Sequence, residues 1–129
     1  MLFRSFTNSW LQNDASFMLR GGADVLRAFA RLAAKYPDVR LIVLSALPTQ
    51  SGAELAELAR NTPNLHLIDY RINDEGLVEL MMSADVFLLP SAGLHALSIL
   101  RAMYCGLATI VSDAPGNDEF ITEIGRAHV

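Results

Sequence analysis

The sequence has little cysteine, no excess of basic charge and no long uncharged apolar run. Cys105 is the only cysteine among 129 residues, so no internal disulfide can form, and the chain fits a reducing compartment. A formal net charge of −4 argues against nucleic acid or an anionic membrane as a general partner. No stretch approaches the roughly 20 apolar residues of a membrane span, and no signal peptide is visible. We therefore expect a soluble, cytoplasmic domain without a transmembrane segment.

The residue patterns of several catalytic classes are also missing. The sequence has no cluster of histidine, cysteine and acidic residues at metal-ligand spacing, no Gly-x-Ser-x-Gly elbow and no Walker-type phosphate loop. Cys105 stands at the end of an apolar helical stretch, which favours a packing role over a nucleophilic one. We expect neither a bound metal nor a cofactor.

What is present is an apolar chain, 52% hydrophobic, with alternating strand and helix patterns. This is enough apolar surface for one domain. The patterns predict strands over residues 6–10, 41–44, 65–70, 86–89 and 108–111, the last two buried, and helices over 23–36, 52–60, 74–83 and from about His95 onward. Such alternation predicts an α/β fold with a doubly wound parallel, Rossmann-like sheet.

Ligands of such sheets bind beyond the carboxyl ends of the strands, near the point where the strand order reverses. Asn8 and Ser9 follow the first predicted strand, and Ser91 to His95 follow the fourth. The helix that begins there would point unpaired amides and a partial positive charge at this edge, which suits a phosphate. We expect the binding site at this edge.

A second phosphate candidate precedes the first long helix. Arg20 and Gly21 stand where both a guanidinium and backbone amides can reach the mouth of the sheet. Arginine stays charged and can hold phosphate oxygens with two donors. The alternative is that Gly21 and Gly22 only shape the turn, with Arg20 a solvated surface charge.

The stretch from Pro90 to Gly106, followed by an apolar strand, resembles the donor-binding half of retaining GT-B glycosyltransferases of the group 1, family 4 type. Their pattern there is proline-serine, a glutamate, seven residues, a second glutamate, alanine-methionine, a glycine and an apolar strand. In this sequence Gly93 and Arg101 stand at the two glutamate positions. The resemblance covers roughly residues 6–121 and implies a divergent member.

The resemblance implies which residues bind the donor. The first glutamate position contacts the transferred sugar and the second the ribose, while a basic residue before a glycine, here Arg20, contacts the diphosphate. Together with the edge argument, the predicted donor-binding residues are Asn8, Ser9, Arg20, Gly21, Ser91, Gly93, His95, Ala96, Leu97, Arg101 and Glu119.

Three of these side chains have alternative roles. His95 either contacts a sugar hydroxyl or phosphate, or caps or packs the loop. Arg101 lies in an apolar helix; if that helix is largely buried, the charge needs a partner, either a donor phosphate or a carboxylate such as Asp113. Glu119 either caps the following helix or touches the ligand.

The reaction implied by the resemblance is transfer of a glycosyl group from a nucleoside diphosphate sugar to an acceptor hydroxyl, with retention and without a metal, in carbohydrate biosynthesis. The amino-terminal, acceptor-binding domain is expected outside this chain, so the fragment is expected to be inactive alone. Peripheral membrane contact through that domain stays open. The alternatives are a GT-B nucleotide-sugar 2-epimerase and a non-catalytic α/β ligand-binding or regulatory domain.

Both ends of the chain resemble translated sequencing adapters. We therefore expect residues 1–5 to be a non-native leader and residues 123–129 a non-native tail. The domain itself is expected over residues 6–122, incomplete at its carboxyl end. The alternative is a genuine amino-terminal strand and a genuine carboxy-terminal helical turn.

Overall fold

A computed structural model describes residues 3–8, 18–19, 21–45, 53–70, 72–92 and 96–113. Within these ranges strands and helices alternate strictly. In chain order the elements are β1 (Phe3–Asn8), α1 (Gly22–Lys35), β2 (Val39–Leu44), α2 (Ala53–Asn61), β3 (Leu65–Ile68), α3 (Asp74–Met82), β4 (Val86–Leu89), α4 (Ala96–Tyr104) and β5 (Ala108–Val111).

The five strands form one sheet in the order β3-β2-β1-β4-β5, and every neighbouring pair is parallel. The strand order therefore reverses between β1 and β4, which lie side by side at the centre. This is the doubly wound parallel sheet that the sequence predicts. All five strands end at the same border, here called the carboxyl edge.

Helix α1 shows why the sequence pattern is informative. Its buried positions recur at helical spacing and include Val25, Leu26 and Phe29, while Arg27 and Arg31 are exposed. The helix ends at Lys35, two residues before Pro37, because proline disfavours the α conformation in the residue that precedes it.

The core has two layers, one on each face of the sheet. On one face, α1 and α2 pack against odd-numbered residues of β2, Leu41 and Val43. On the opposite face, α3 and α4 pack against Phe87 and Leu89 of β4. Side chains of a strand alternate between faces, so the apolar run of β2 supplies both layers, as predicted for a central strand.

The first strand starts earlier in the chain than predicted. It begins at Phe3 rather than at residue 6, because its backbone pairs with the whole of β2, from Phe3 opposite Val39 to Asn8 opposite Leu44. Residues 9 and 10 of the predicted strand lie outside the described ranges. Backbone hydrogen bonds between strands form whatever the side chains are, so this pairing is compatible with native and with non-native residues. That residues 1–5 are a non-native leader stays a prediction.

The last strand is less buried than predicted. Ala108 and Ile110 of β5 are exposed, although the apolar sequence predicted a buried strand. The reason is position: among the described strands, β5 pairs with β4 alone and stands at the border of the sheet. Its side facing α1 has no covering helix within the described ranges.

Candidate functional site

The candidate site lies at the carboxyl edge, where the loops after β1 and β4 begin. These strands are neighbours, with Ser5 opposite Val86 and Phe6 opposite Phe87. Connections from β1 lead toward β2 and β3, whereas connections from β4 lead toward β5. A doubly wound sheet opens a crevice at such a reversal, and this is where its ligands bind.

Gly21 closes the crevice on one side by direct approach to the end of β4. Its φ of 80° is left-handed, and a Cβ built on it would lie 2.7 Å from Pro90 Cγ, 2.9 Å from the Pro90 carbonyl carbon and closer still to the carbonyl oxygen. Only glycine tolerates both the conformation and the approach. The segment before α1 is thus seated against the segment after β4.

Backbone hydrogen bonds fasten the same two segments together. The Ala92 amide donates to the Leu19 carbonyl at 2.8 Å, and the buried Ser91 hydroxyl donates to the same carbonyl at 3.3 Å. The Gly21 amide donates to the Met18 carbonyl at 3.1 Å, which forms the turn that leads into α1. Two motifs that are about seventy residues apart in sequence therefore form one surface.

Strand β5 supports this surface from the other side. The Ser112 hydroxyl donates a short hydrogen bond to the Ser91 carbonyl, and the Ser112 amide donates to the Leu89 carbonyl at 3.3 Å. Ser91 is only 2% exposed, so its predicted donor contact can come from its backbone rather than from a hydroxyl in open solvent. Its side chain holds the loop in place.

Helix α4 begins at Ala96, close to the predicted start, with its first turn at the carboxyl edge. Leu97 is 64% exposed, and Leu100 and Met103 are exposed as well. The helix is therefore not largely buried. Of the α4 side chains that the structure describes, only Ile99 and Ala102 are fully buried, because α4 meets the sheet along one narrow stripe.

Arg101 pairs with a carboxylate, which is one of the two kinds of partner expected, but the residue is Asp74 rather than Asp113. Its Nη2 lies 3.7 Å from Oδ1 of Asp74, the first residue of α3. The two side chains are 38% and 88% exposed, so solvent screens this ion pair and it adds little stability. Because α3 starts at the carboxyl edge, the pair still places the guanidinium near the mouth of the sheet.

Asn73 directly precedes Asp74 and lies at the carboxyl edge, where β3 has ended. The Asn73 side chain accepts a hydrogen bond from the Gly76 amide at 2.8 Å and so caps α3. Asparagine followed by two acidic residues is a typical helix start, and this pattern was the available signal.

The other predicted residues divide into two groups. Asn8 ends β1 at the carboxyl edge, so its backbone lies where the sequence predicts. Five predicted donor-binding residues lie outside the described ranges: Ser9, Arg20, Gly93, His95 and Glu119. Leu19 and Gly21, on either side of Arg20, are both placed against the end of β4.

Neither a metal-binding cluster nor a membrane-spanning helix is found in the described ranges. No group of three or more histidine, cysteine, aspartate or glutamate side chains there is arranged to hold a metal ion. None of the helices described is both long enough and apolar enough to cross a bilayer. Cys105 is a half-buried free thiol that packs against the α3–α4 core layer.

A doubly wound sheet with its crevice between β1 and β4 defines the class: a Rossmann-like α/β domain of the kind that forms half of a GT-B fold. The model of one family, described as glycosyl transferases group 1, matches residues 18–127. The chain therefore belongs to the glycosyl transferases group 1, a family of glycosyltransferases. No curated protein sequence matches it.

Solved structures agree with this fold. The pneumococcal O-GlcNAc transferase GtfA, in complex with UDP and GlcNAc, is similar with a TM-score of 0.72 at 20% identity over 92% of this chain and 22% of that chain. The C-terminal domain of LpcC, a glycosyl transferase group 1 family protein from Francisella tularensis, gives 0.73 at 17% identity over 94% and 63%. WaaG, a glycosyltransferase involved in lipopolysaccharide biosynthesis, gives 0.68 at 22% identity over 93% and 31%.

These likenesses show the fold. In each case the chain spans less than two thirds of the similar structure: 22% of GtfA, 63% of the LpcC domain and 31% of WaaG.

Proposed function

We propose that the natural protein transfers a glycosyl group from a nucleoside diphosphate sugar to an acceptor hydroxyl, and that this domain binds the donor. The observation that carries the proposal is the seating of Gly21 against Pro90, with the hydrogen bonds from Ser91 and Ala92 to Leu19. These contacts bring the two phosphate-binding candidates of the sequence, before α1 and before α4, to one crevice.

The chemistry of a diphosphate suits this crevice. The donor is anionic and the chain carries a net charge of −4, so local donors must hold it. The amides of the first turn of α4 and the guanidinium of Arg20 supply a partial and a full positive charge. The same groups stabilise the negative charge that develops on the diphosphate as it leaves, with no metal or cofactor required.

Individual residues then have separate roles. We assign Asn8, Ser9, Ser91 and Gly93 to donor binding, together with Ala96 and Leu97 in the first turn of α4. His95 contacts the sugar or its phosphate.

Arg101 replaces a carboxylate that the family resemblance assigns to the ribose, and Asp74 holds it at the mouth of the crevice. Glu119 contacts the donor.

The donor class follows from similar proteins. The GtfA structure contains UDP and GlcNAc, which is consistent with a uridine nucleotide as donor. Because the chain spans only part of each similar protein, we place the acceptor site in an amino-terminal domain of the same polypeptide. The domain described here then extends to residue 122, and the whole protein acts in carbohydrate biosynthesis in the cytoplasm, without nucleic acid.

Calorimetry on the full-length protein tests the donor site. We expect UDP to bind and Arg20→Ala to weaken its binding by about 1.5–3 kcal/mol, the range for a hydrogen bond to a charged group. Uridine without phosphates should bind equally to both proteins. Arg27→Ala is the matched control, because Arg27 is an exposed arginine of α1 seven positions further on, and it should leave UDP binding unchanged.

Equal losses for UDP and uridine would remove Arg20 from the phosphate site. An absence of UDP and GDP binding to the unaltered protein would overturn the proposed function itself.

A further inference from the structure

Two oppositely charged side chains meet at the carboxyl edge without forming a direct hydrogen bond. Nη2 of Arg101 and Oδ1 of Asp74 are 3.7 Å apart, which exceeds the range of about 2.7–3.2 Å for an N–H···O hydrogen bond. Within the described ranges neither side chain makes another ion pair or a hydrogen bond. The donors of the guanidinium and the lone pairs of the carboxylate are therefore open to a ligand.

The pair lies beside the crevice because α3 and α4 share one core layer. That layer contains Leu44 and Leu89, the last residues of β2 and β4. Since β1 lies between β2 and β4, the two helices that cover these residues also flank the crevice at the end of β1. Ile72 packs against the same layer and holds the start of α3 at this edge.

Arg101 reaches the carboxyl edge from the second turn of α4. It stands five positions after Ala96, which is about 7.5 Å along the helix axis. Helical side chains lean toward the amino-terminal end of their helix, so Arg101 extends back toward the edge where Asp74 starts α3. The ion pair and the proposed diphosphate site, in the first turn of α4, thus lie within the length of one nucleotide.

The charges of the pair select the group that it can bind. A phosphate would be attracted by Arg101 but repelled by Asp74, whose side chain is 88% exposed. An apolar group would leave both charges without hydrogen bonds. A hydroxyl suits the pair, because its oxygen accepts from the guanidinium while it donates its own proton to the carboxylate. Two neighbouring hydroxyls would occupy both charged groups.

We propose that Asp74 and Arg101 together bind the two ribose hydroxyls of the donor nucleotide. This assignment, which rests on the proposed function, adds a residue of α3 to the donor-binding residues. The Asp74 carboxylate accepts hydrogen bonds from the hydroxyls, and Arg101 donates to their oxygens. Because Arg101 also offsets the charge of Asp74, the carboxylate can stand near a diphosphate without repelling it. The pair distinguishes a ribonucleotide from its deoxy analogue.

Ligand variation combined with mutation tests the ribose contact. Calorimetry on the full-length protein measures the binding of UDP and of 2′,3′-dideoxyuridine diphosphate, which lacks both hydroxyls. GDP and its dideoxy analogue are measured in parallel, for the case that guanine is the base. The variant is Asp74→Ala. Glu75→Ala is the matched control, because Glu75 is also an exposed acidic residue in the first turn of α3 and interacts similarly with the helix dipole.

The unaltered protein should bind the ribonucleotide at least about tenfold more tightly than its dideoxy analogue, the effect of losing a hydrogen bond to a charged group. Asp74→Ala should weaken ribonucleotide binding at least about tenfold without weakening the binding of the analogue. Asp74→Asn keeps an acceptor oxygen and should lose less than Asp74→Ala. Glu75→Ala should leave the binding of both ligands unchanged.

Three results would overturn the proposal. Tighter binding of both ligands to Asp74→Ala would show that Asp74 competes with a phosphate for Arg101. Equal losses for the ribonucleotide and its analogue would show that Asp74 only positions Arg101 against a phosphate. Unchanged ribonucleotide binding would remove Asp74 from the site.

In each of these three results the unaltered protein still binds a nucleotide, so the inference fails while the proposed function stands. A protein that binds neither UDP nor GDP would overturn both.

Discussion

At the residue scale, two glycines share a conformation but have different surroundings. Gly21 and Gly106 both have left-handed φ angles, 80° and 83°. A Cβ at Gly21 would collide with Pro90, whereas a Cβ at Gly106 would meet no atom within 4 Å. The pair therefore separates the cost of the backbone conformation from the cost of pushing the two site segments apart.

We expect Gly106→Ala to lower the free energy of unfolding by about 1–2 kcal/mol, the cost of a left-handed alanine. Gly21→Ala should cost at least about 1 kcal/mol more, in the range of an overpacked core position. Urea unfolding of the two variants measures the difference. In the full-length protein, Gly21→Ala should also weaken UDP binding, while Gly106→Ala should not. Equal costs for the two substitutions would contradict the close seating of Gly21 on Pro90.

The sequence predicted that these residues lie at the carboxyl edge, but it did not predict which atoms they contact. Gly21 and Ser91 were predicted at the carboxyl edge, and both lie there because parallel strands end at a common border. The partner of Arg101 was not predictable, because Asp74 is distant in sequence and the pairing depends on how α3 and α4 lie side by side. The approach of Gly21 to Pro90 likewise required the folded arrangement.

At the element scale, the helices were predicted within one or two residues, because apolar periodicity and caps are local signals. The predicted bounds were less accurate for β1. This strand starts at Phe3, not at Phe6, because its register with β2 sets its start. The exposure of β5 could not be predicted from its apolar sequence, because only the strand order places it at the border.

Helix α3 offers a test of a local signal. Asn73→Ala removes the side chain that accepts from the Gly76 amide, and we expect a loss of about 1 kcal/mol in the free energy of unfolding, the usual cost of losing an N-cap. Asn73→Ser should restore most of this loss, since serine is also a good cap. Thermal unfolding of both variants measures the change in the free energy of unfolding. If serine were as costly as alanine, the hydrogen bond would not be what stabilises the start of α3.

At the scale of the whole molecule, the two ends should differ in importance. Deleting residues 123–129 should change the free energy of unfolding by no more than about 0.5 kcal/mol, if this segment is the non-native tail we propose. Deleting residues 1–5 removes the strand partners of Val39, Arg40 and Leu41. That deletion should cost at least about 2 kcal/mol, since each net backbone hydrogen bond contributes about 1 kcal/mol.

Urea denaturation of the two shortened chains, each compared with the intact chain, measures both effects. A harmless amino-terminal deletion would place the true start of the domain after residue 5. A costly carboxy-terminal deletion would show that residues 123–129 belong to the fold.

The hydrogen bond from the Ser91 hydroxyl to the Leu19 carbonyl joins residues 72 positions apart, and it has a consequence for the order of events during folding. The segments that it joins cannot meet until β4 has been inserted beside β1, after three crossovers. Such non-local closures are slow, because the chain loses loop entropy before these contacts can form. We therefore expect the crevice at the carboxyl edge to be among the last parts of the molecule to form, so that the proposed nucleotide binding would arise only at the end of refolding.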